Sequence, residues 1–371
     1  MTETIDWEQE KLLRIVVIGG GMGGAELVRN AATKGGLDMV LIEPKDRIEC
    51  QALYPDYLAG DVSIEGMTAP LKSFCDRMGA TWIKDYAIDL DLARKVVVCS
   101  AQEVKYDILV IAIGAVQNYY GLKGAEKTFS INTLEDAIEA KYYFEKERPK
   151  NVAIIGSGPT GIETACALAE TPDCKIHIVE MKDRPLPTFA RTASNMMKTV
   201  LKKKGVRVLT SKRVDEVANG QLIFSEGNPL ECEMIIWTAG IKPPAFVNKL
   251  DFPKKYGWIL TDPYLRVEGR EDVFAIGDNA WIEVGENLAT KTGMEAEYQA
   301  KHTARNLARM ARGEELRPYS VKASTGSPAA LISTGCRCAV GVYGNLCIHI
   351  PAKLIYTLKS WIDKSFVNRF K

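Results

Sequence analysis

The sequence predicts an α/β fold in which one strand–turn–helix–strand unit occurs twice. Two glycine-rich turns, 137 residues apart, carry that prediction: Gly19-Gly20-Gly21-Met22-Gly23-Gly24 and Gly156-Ser157-Gly158-Pro159-Thr160-Gly161, both reading G-x-G-x-x-G. Each is entered by an apolar run, Ile15-Val16-Val17-Ile18 or Val152-Ala153-Ile154-Ile155, and followed by helix-like sequence. A second apolar strand then ends in a carboxylate, Glu43 or Glu180, each 19 residues past the last glycine of its turn. One such turn alone is a weak signal. Two with equal spacing and the same strand–turn–helix–strand–acid order point to two dinucleotide sites.

The physics of the two turns is shared. Gly19 and Gly156 permit the tight bend out of the strand. Gly21 and Gly158 lack a Cβ, so backbone can approach a pyrophosphate, and Gly24 and Gly161 let the helix pack close to the sheet. Met22 and Gly23 complete the first turn, Pro159 and Thr160 the second. Free N–H groups at the helix start face the phosphates, where the helix dipole favours negative charge. Glu43 and Glu180 can accept hydrogen bonds from ribose hydroxyls, and Lys45 lies just beyond Glu43. A 2′-phosphate beside Glu180 would be repelled, so the second site should prefer NAD over NADP. Lys182 and Arg184 sit close by and temper that preference.

Composition sets the bounds. The chain of 371 residues is 46% hydrophobic and 26% charged, ordinary for a globular protein of two to three domains. A net charge of +1 gives no global sign of nucleic acid as a partner. Nine cysteines with no C-x-x-C, and an acidic segment Met1–Glu10 that is unlike a targeting sequence, suit a reducing compartment. The histidines His177, His302 and His349 do not cluster, so no metal site is expected. No apolar stretch approaches the roughly 18 residues needed to span a bilayer.

Along the chain, Lys11–Ile18 reads as strand, Gly23–Lys34 as helix and Met39–Ile42 as strand. Cys50–Gly60 is turn-rich and Ala69–Met78 helical; Thr81–Asp89 and Lys95–Cys99 suggest a hairpin. Asp107–Ala112 is a buried strand ending at Gly114, and Thr133–Glu147 a charged amphipathic helix. The second unit has helices at Gly161–Ala169 and Ala190–Lys204, and a buried strand Glu233–Thr238 ending in Ala239-Gly240. Next comes Asp272-Val273-Phe274-Ala275-Ile276-Gly277-Asp278, a buried strand whose terminal carboxylate can meet a polyol such as the ribityl chain of a flavin. A long helix over Gly293–Arg312 precedes a tail of short strands and a final helix.

The first unit lacks its closing strand until Gly277-Asp278, so the second unit is expected to be inserted into the first. This order resembles the two-dinucleotide-binding-domain flavoproteins of the pyridine nucleotide–disulfide oxidoreductase superfamily. The motifs are Gly19–Gly24 with Glu43, Ala112-Ile113-Gly114, Gly156–Gly161 with Glu180, Thr238-Ala239-Gly240 and Ala275-Ile276-Gly277-Asp278. The resemblance implies two Rossmann-like domains, the first holding FAD and the second NADH. The expected boundaries are 12–115 and 241–325 for the FAD-binding domain, 116–240 for the NADH-binding domain and 326–371 for a C-terminal segment.

Within that superfamily the disulfide reductases carry a C-x4-C pair, whereas this chain has only Cys50 in the corresponding stretch. A free cysteine is usually an inert packed thiol. The short tail looks like that of type II NADH:quinone and sulfide:quinone oxidoreductases. Gly161-Ile162-Glu163 with Ala165–Glu170 is similar to the G-V-E-x-A-x-x-L-A-E helix of the NADH:quinone enzymes, which implies a catalytic place for Glu163 near nicotinamide and flavin. Lys291-Thr292-Gly293-Met294-Glu295-Ala296 is similar to the K-T-G-x-x-A-E stretch of the sulfide branch, and implies that Lys291 and Thr292 open a helix beneath the flavin. Where the NADH:quinone branch has G-R-x-K-A-V, this chain has Gly335-Cys336-Arg337-Cys338-Ala339-Val340. A persulfide-carrying pair drawn from Cys166 and Cys336 or Cys338 is the alternative.

The resemblance therefore implies an FAD-dependent oxidoreductase that takes a hydride from NADH and passes electrons to a quinone-like acceptor. An NADH-responsive sensor or interaction flavoprotein is a further alternative, and a homodimer is left open. In Ala352–Lys371, Leu354, Ile355, Leu358, Trp361, Ile362 and Phe366 share one helical face, while Lys353, Lys359, Asp363, Lys364 and Arg369 lie mostly on the other. Such a basic amphipathic helix suits an anionic bilayer surface. The expectation is a cytoplasmic protein lying peripherally on the inner face of the cell membrane.

Overall fold

The computed structural model describes residues 12–348 and 352–371. The acidic segment Met1–Glu10 and His349 lie outside the described residues.

Two parallel sheets organise the chain. In the first, the strands run in the order Val273–Ala275, Ile108–Ile111, Leu13–Ile18, Leu37–Ile42, Thr81–Ile83. In the second the order is Arg207–Leu209, Lys175–Val179, Asn151–Ile155, Met234–Trp237. Each glycine turn follows the strand that lies between the acid-bearing strand and a later one. Ile15, Val16 and Val17 in the first sheet, and Val152, Ala153 and Ile154 in the second, are fully buried, as parallel strands covered on both faces require. Between Ile111 and Val273 the chain builds the whole second sheet. The two connections that cross between the units run side by side, Val116–Gln117 pairing antiparallel with Ile241–Lys242.

The helices begin where the turns leave off. Met22–Ala31 follows Gly21 and Pro159–Leu168 follows Gly158, and neither start carries a side-chain cap, so their first amides stay free. A Cβ on Gly24 would overlap the Gly19 carbonyl oxygen, and one on Gly161 would overlap that of Gly156. Glycine is required at both positions because helix and turn touch backbone to backbone. The helix Leu134–Glu147 starts on a reciprocal cap: Thr133 Oγ1 accepts from Asp136 N at 3.1 Å, and Thr133 N donates to the Asp136 carboxylate at 3.0 Å.

Two expectations are corrected here. The segment read as one strand, Thr81–Asp89, is two: Thr81–Ile83 joins the first sheet, and Ala87–Asp91 pairs antiparallel with Val96–Cys99. Asp85 makes the break, its carboxylate accepting from Tyr86 N at 2.7 Å and Ala101 N at 2.9 Å.

The C-terminal helix, Ala352–Asn368, is the second correction. Ile355, Lys359, Phe366 and Phe370 face inward, so Lys359 is buried rather than solvated. Arg369 also turns in, to Glu297 at 2.8 Å and Glu26 at 3.5 Å. Leu354, Leu358, Trp361 and Ile362 are left exposed. The apolar arc is wider than the docked face, so Ile355 and Phe366 of its six residues pack and the other four do not.

Phe370 is fully buried, its ring 5.1 Å from Phe74 and 4.9 Å from Phe366, and its carbonyl accepts from Arg77 at 2.7 Å. Phe370→Ala should lower stability by about 3–5 kcal/mol, the usual cost of deleting a buried aromatic ring. Urea unfolding followed by circular dichroism checks this, and a loss below about 1 kcal/mol would mean that the chain end is not docked.

Candidate active site

The first glycine turn lines a cavity of about 400 Å³ together with Glu43, Lys45, Gly114, Gly277, Asp278, Gly293 and Ala296. Glu43 is already bound to the turn it was expected to serve: Oε2 accepts from Gly20 N at 2.6 Å and Oε1 from Lys45 N at 3.0 Å. Burial pushes its carboxyl above the usual range, against the pull of those two amides. The Lys45 ammonium pairs with Glu49 at 2.9 Å and Glu135 at 3.3 Å.

Three loops meet across the cavity. Gly114 N donates to Asn279 Oδ1 at 3.2 Å, and Asn279 Nδ2 donates to the Ile111 carbonyl at 3.1 Å. Gly277, at φ +73°, donates its N–H to Gln299 Oε1 at 2.7 Å. The buried Asn279 and Gln299 thus fasten the Gly277-Asp278 turn to the first sheet and to the helix Gly293–Ala311. Lys291 is spent on the same turn, donating to the carbonyls of Asp278 at 2.7 Å and Ala280 at 2.8 Å. Its ammonium also lies 3.8 Å from the Trp258 ring centre. Burial, only partly offset by Asp278, brings its pKa down to about 8. Thr292 caps the helix, accepting from Glu295 N at 3.3 Å, while Gly293 packs beneath the Met22 side chain. Lys291 and Thr292 therefore support the cavity wall, and Gly293 and Ala296 form it.

This wall fits a flavin dinucleotide. A Cβ on Gly21 would meet nothing within 4 Å, so the turn presents bare backbone to open space beside uncapped helix amides. Among the described residues nothing donates to the Asp278 carboxylate, which burial pushes up in pKa. A polyol hydroxyl placed in the cavity would supply such a donor.

The second turn repeats the arrangement. Glu180 Oε2 accepts from Ser157 N at 3.0 Å and Ser157 Oγ at 2.6 Å, and Oε1 accepts from Lys182 N at 2.8 Å. A Cβ on Gly158 would again meet nothing within 4 Å. Pro159 and Thr160 start the helix, and Gly240, at φ +76°, lies against the Tyr120 hydroxyl. Arg184 does not reach for a phosphate. Its guanidinium donates to the carbonyls of Leu186 (3.1 Å), Pro187 (2.8 Å) and Phe189 (2.9 Å).

Glu163 stands one turn into the same helix, outside the flavin cavity, in a buried ion cluster. Its Oε1 accepts from Ser333 N at 2.8 Å and lies 3.5 Å from the Lys359 ammonium. Lys359 also faces Asp363 at 3.0 Å and Asp56 at 3.6 Å, one cation among three carboxylates. Burial raises Glu163 to a pKa of about 7, Lys359 pulling the other way. Lys359 itself is held firmly charged: burial opposes its charge and is outweighed by Glu163, Asp363 and Asp56. Lys359 and Ser333 are the residues that sequence reasoning missed. Helical periodicity put Lys359 among solvated charges, and a backbone N–H has no signature in sequence.

All nine cysteines are free. Cys50 is buried beside the ion cluster, and its thiol is raised by burial and by Asp363. Cys166 is fully buried, its thiol pushed up to about 12. Cys336 is exposed in a tight turn where Lys204 reaches its sulfur at 3.0 Å.

Residues 13–305 match the pyridine nucleotide-disulphide oxidoreductase family. Over 384 aligned residues the chain is 26% identical to a type II NADH:quinone oxidoreductase of Staphylococcus saprophyticus, covering 94% of each. In fold it is similar to the NDH2 of Plasmodium falciparum solved in complex with NADH, with TM-score 0.83 and 18% identity over 96% of this chain and 97% of that one. It is similarly near the sulfide:quinone oxidoreductase of Aquifex aeolicus, with TM-score 0.84 and 17% identity over 96% and 92%. Fold alone does not separate those two chemistries.

The raised Glu163 carboxyl has a measurable consequence. Between its ordinary value of 4.5 and about 7, the unfolded chain gives up a proton that the folded chain keeps. The folded state then binds more protons, so this group's contribution to stability falls as pH rises through that window and levels off above it. Glu163→Gln should remove that slope. The melting temperature of the variant relative to the wild type should climb across the window, and a constant difference would contradict the assignment.

Proposed function

The chain belongs to the pyridine nucleotide-disulphide oxidoreductase family, and from that premise we propose that it is an FAD-dependent NADH:quinone oxidoreductase. The observation that carries this reading is the complete second turn, with Glu180 braced on Ser157 and Lys182. Sulfide oxidation would leave that turn idle. It would also call on Cys166, whose buried thiol is a poor nucleophile at a pKa of about 12.

Gly19–Gly24 and the uncapped helix start hold the FAD pyrophosphate, Glu43 the ribose and Asp278 the ribityl chain. Lys45, Gly114, Gly277 and the Gly293 helix start shape the space between them, with Lys291 and Thr292 behind. Gly156, Gly158, Pro159, Thr160, Gly161 and Gly240 with Glu180 receive NADH. When bound, the flavin supplies the two-electron acceptor that links hydride uptake to quinone reduction. The protein contributes proximity and a fixed electrostatic setting. Glu163 contributes a proton. Oε1 is taken by the Ser333 N–H, so the proton sits on Oε2, and a pKa of about 7 lets it leave and return near neutrality. Lys359 positions that carboxyl and keeps its ionised form tolerable in a buried place.

Residues 12–115 and 241–325 are assigned to the flavin domain, 116–240 to an NADH domain set between them, and 326–371 to the C-terminal segment. The sheet order supports this division. Leu354, Leu358, Trp361 and Ile362 are exposed on the C-terminal helix, and Tyr343 and Leu346 on the preceding hairpin. We assign this apolar surface to peripheral contact with the cytoplasmic face of the cell membrane, from which a lipid-soluble quinone enters. No helix among the described residues is long and apolar enough to cross a membrane.

Anaerobic mixing tests the reading. NADH should bleach the yellow protein and quinone restore its colour; bleaching by sulfide and not by NADH would sink it. Glu163→Gln should slow quinone turnover about 100-fold, the scale of a lost general acid, while NADH still bleaches the flavin. Unchanged turnover would remove Glu163 from the mechanism. Asp278→Ala should purify without bound flavin, which its absorbance reports.

A further inference from the structure

The duplicated turns differ at their second position in a way that bears on which nucleotide the second site accepts. In both, the amide of that residue donates to Oε2 of the acid on the neighbouring strand, from Gly20 at 2.6 Å and from Ser157 at 3.0 Å. In both, Oε1 accepts from the N–H two residues past the acid. The first turn has no room for a side chain: a Cβ on Gly20 would lie 2.8 Å from Glu43 Cγ. The second turn carries one. Ser157 is fully buried, and its hydroxyl donates to Glu180 Oε2 at 2.6 Å.

Glu180 thus accepts three hydrogen bonds from protein where Glu43 accepts two. An ionised carboxylate offers about four acceptor positions. Oε2 of Glu180 is filled by the Ser157 amide and hydroxyl, and Oε1 keeps one position free. Of the two nearby cations, Arg184 is committed to three carbonyls, and Lys182, whose amide holds Oε1, has an exposed side chain.

We propose that Ser157 is the specificity-determining positioning residue of the second site, locking Glu180 so that one oxygen meets a ribose 2′-hydroxyl and a 2′-phosphate is refused. This rests on the reading that NADH binds the second turn. The first site, whose acid keeps a position open on each oxygen, can hold its ribose through two hydroxyls, as suits a retained group. The second holds its ribose through one, as suits a nucleotide that must leave each cycle.

Calorimetric titration of the flavin-loaded full chain with NAD⁺ and with NADP⁺ tests this, using the wild type, Ser157→Ala, Ser157→Gly, Glu180→Gln and the Ser157→Ala/Glu180→Gln double variant. Ser157→Gly recreates the first turn, and flavin absorbance reports that each variant is folded. The wild type should favour NAD⁺. Both serine variants should narrow the ratio of the two dissociation constants about tenfold, the scale of one hydrogen bond to a charged group. In turnover with NADH the loss should fall mainly on KM. The double variant should be no less selective than Glu180→Gln alone, because the serine acts through the carboxylate. An unchanged ratio in the flavin-bearing serine variants, or additive losses in the double variant, overturns the inference while NADH binding stands. A wild type that binds neither nucleotide overturns both.

Discussion

Each nucleotide site hangs on a carboxylate that closes its glycine turn from the strand next door. Glu43 and Glu180 were expected to wait for ribose hydroxyls, yet each takes the amide inside its own turn and the amide two residues beyond itself. A glycine turn has little of its own to fix its shape, since glycine is the residue with the most conformational freedom to lose. Hydrogen bonds that a buried acid accepts from those amides supply that shape before any ligand arrives. The remaining lone pairs are then aimed by the protein, so the acid can hold the turn and recognise a sugar at once.

Much of this was readable in the sequence, because the constraints are local. The bend at Gly19, the backbone contact at Gly24 and the acid at Glu43 are separated by fixed distances along one strand–helix–strand unit, and spacing records them. The closing strand Val273–Ala275 was readable for the same reason, as an apolar run ending in Gly277-Asp278. What spacing does not record is partnership between distant segments. Asn279 and Gln299 look like ordinary polar residues in sequence, yet they tie three loops around the flavin cavity. Lys291 and Thr292 sit beside that cavity and serve its wall, a distinction of a few ångströms that no motif carries.

The C-terminal helix shows the other failure. Periodicity sorts residues by polarity and assumes that charge faces water. Lys359 breaks that assumption because three carboxylates from separate parts of the chain wait for it: Asp56 beside the first unit, Glu163 in the second, and Asp363 one turn along its own helix. A buried lysine without such partners would cost several kcal/mol or lose its proton. Removing Lys359 would leave three carboxylates without their cation, whereas removing one carboxylate leaves Lys359 two partners.

That arrangement joins the buried Glu163 carboxyl to the docked end of the chain. Glu163 owes its pKa of about 7 to burial, and the C-terminal helix brings the Lys359 ammonium to within 3.5 Å of it. The same helix turns Trp361 and its apolar neighbours outward, and its last turn is pinned through Arg369 to Glu26 and Glu297 on two helices of the first unit. One element thus sets a cation beside the acid on its inner face and offers an apolar surface on its outer face.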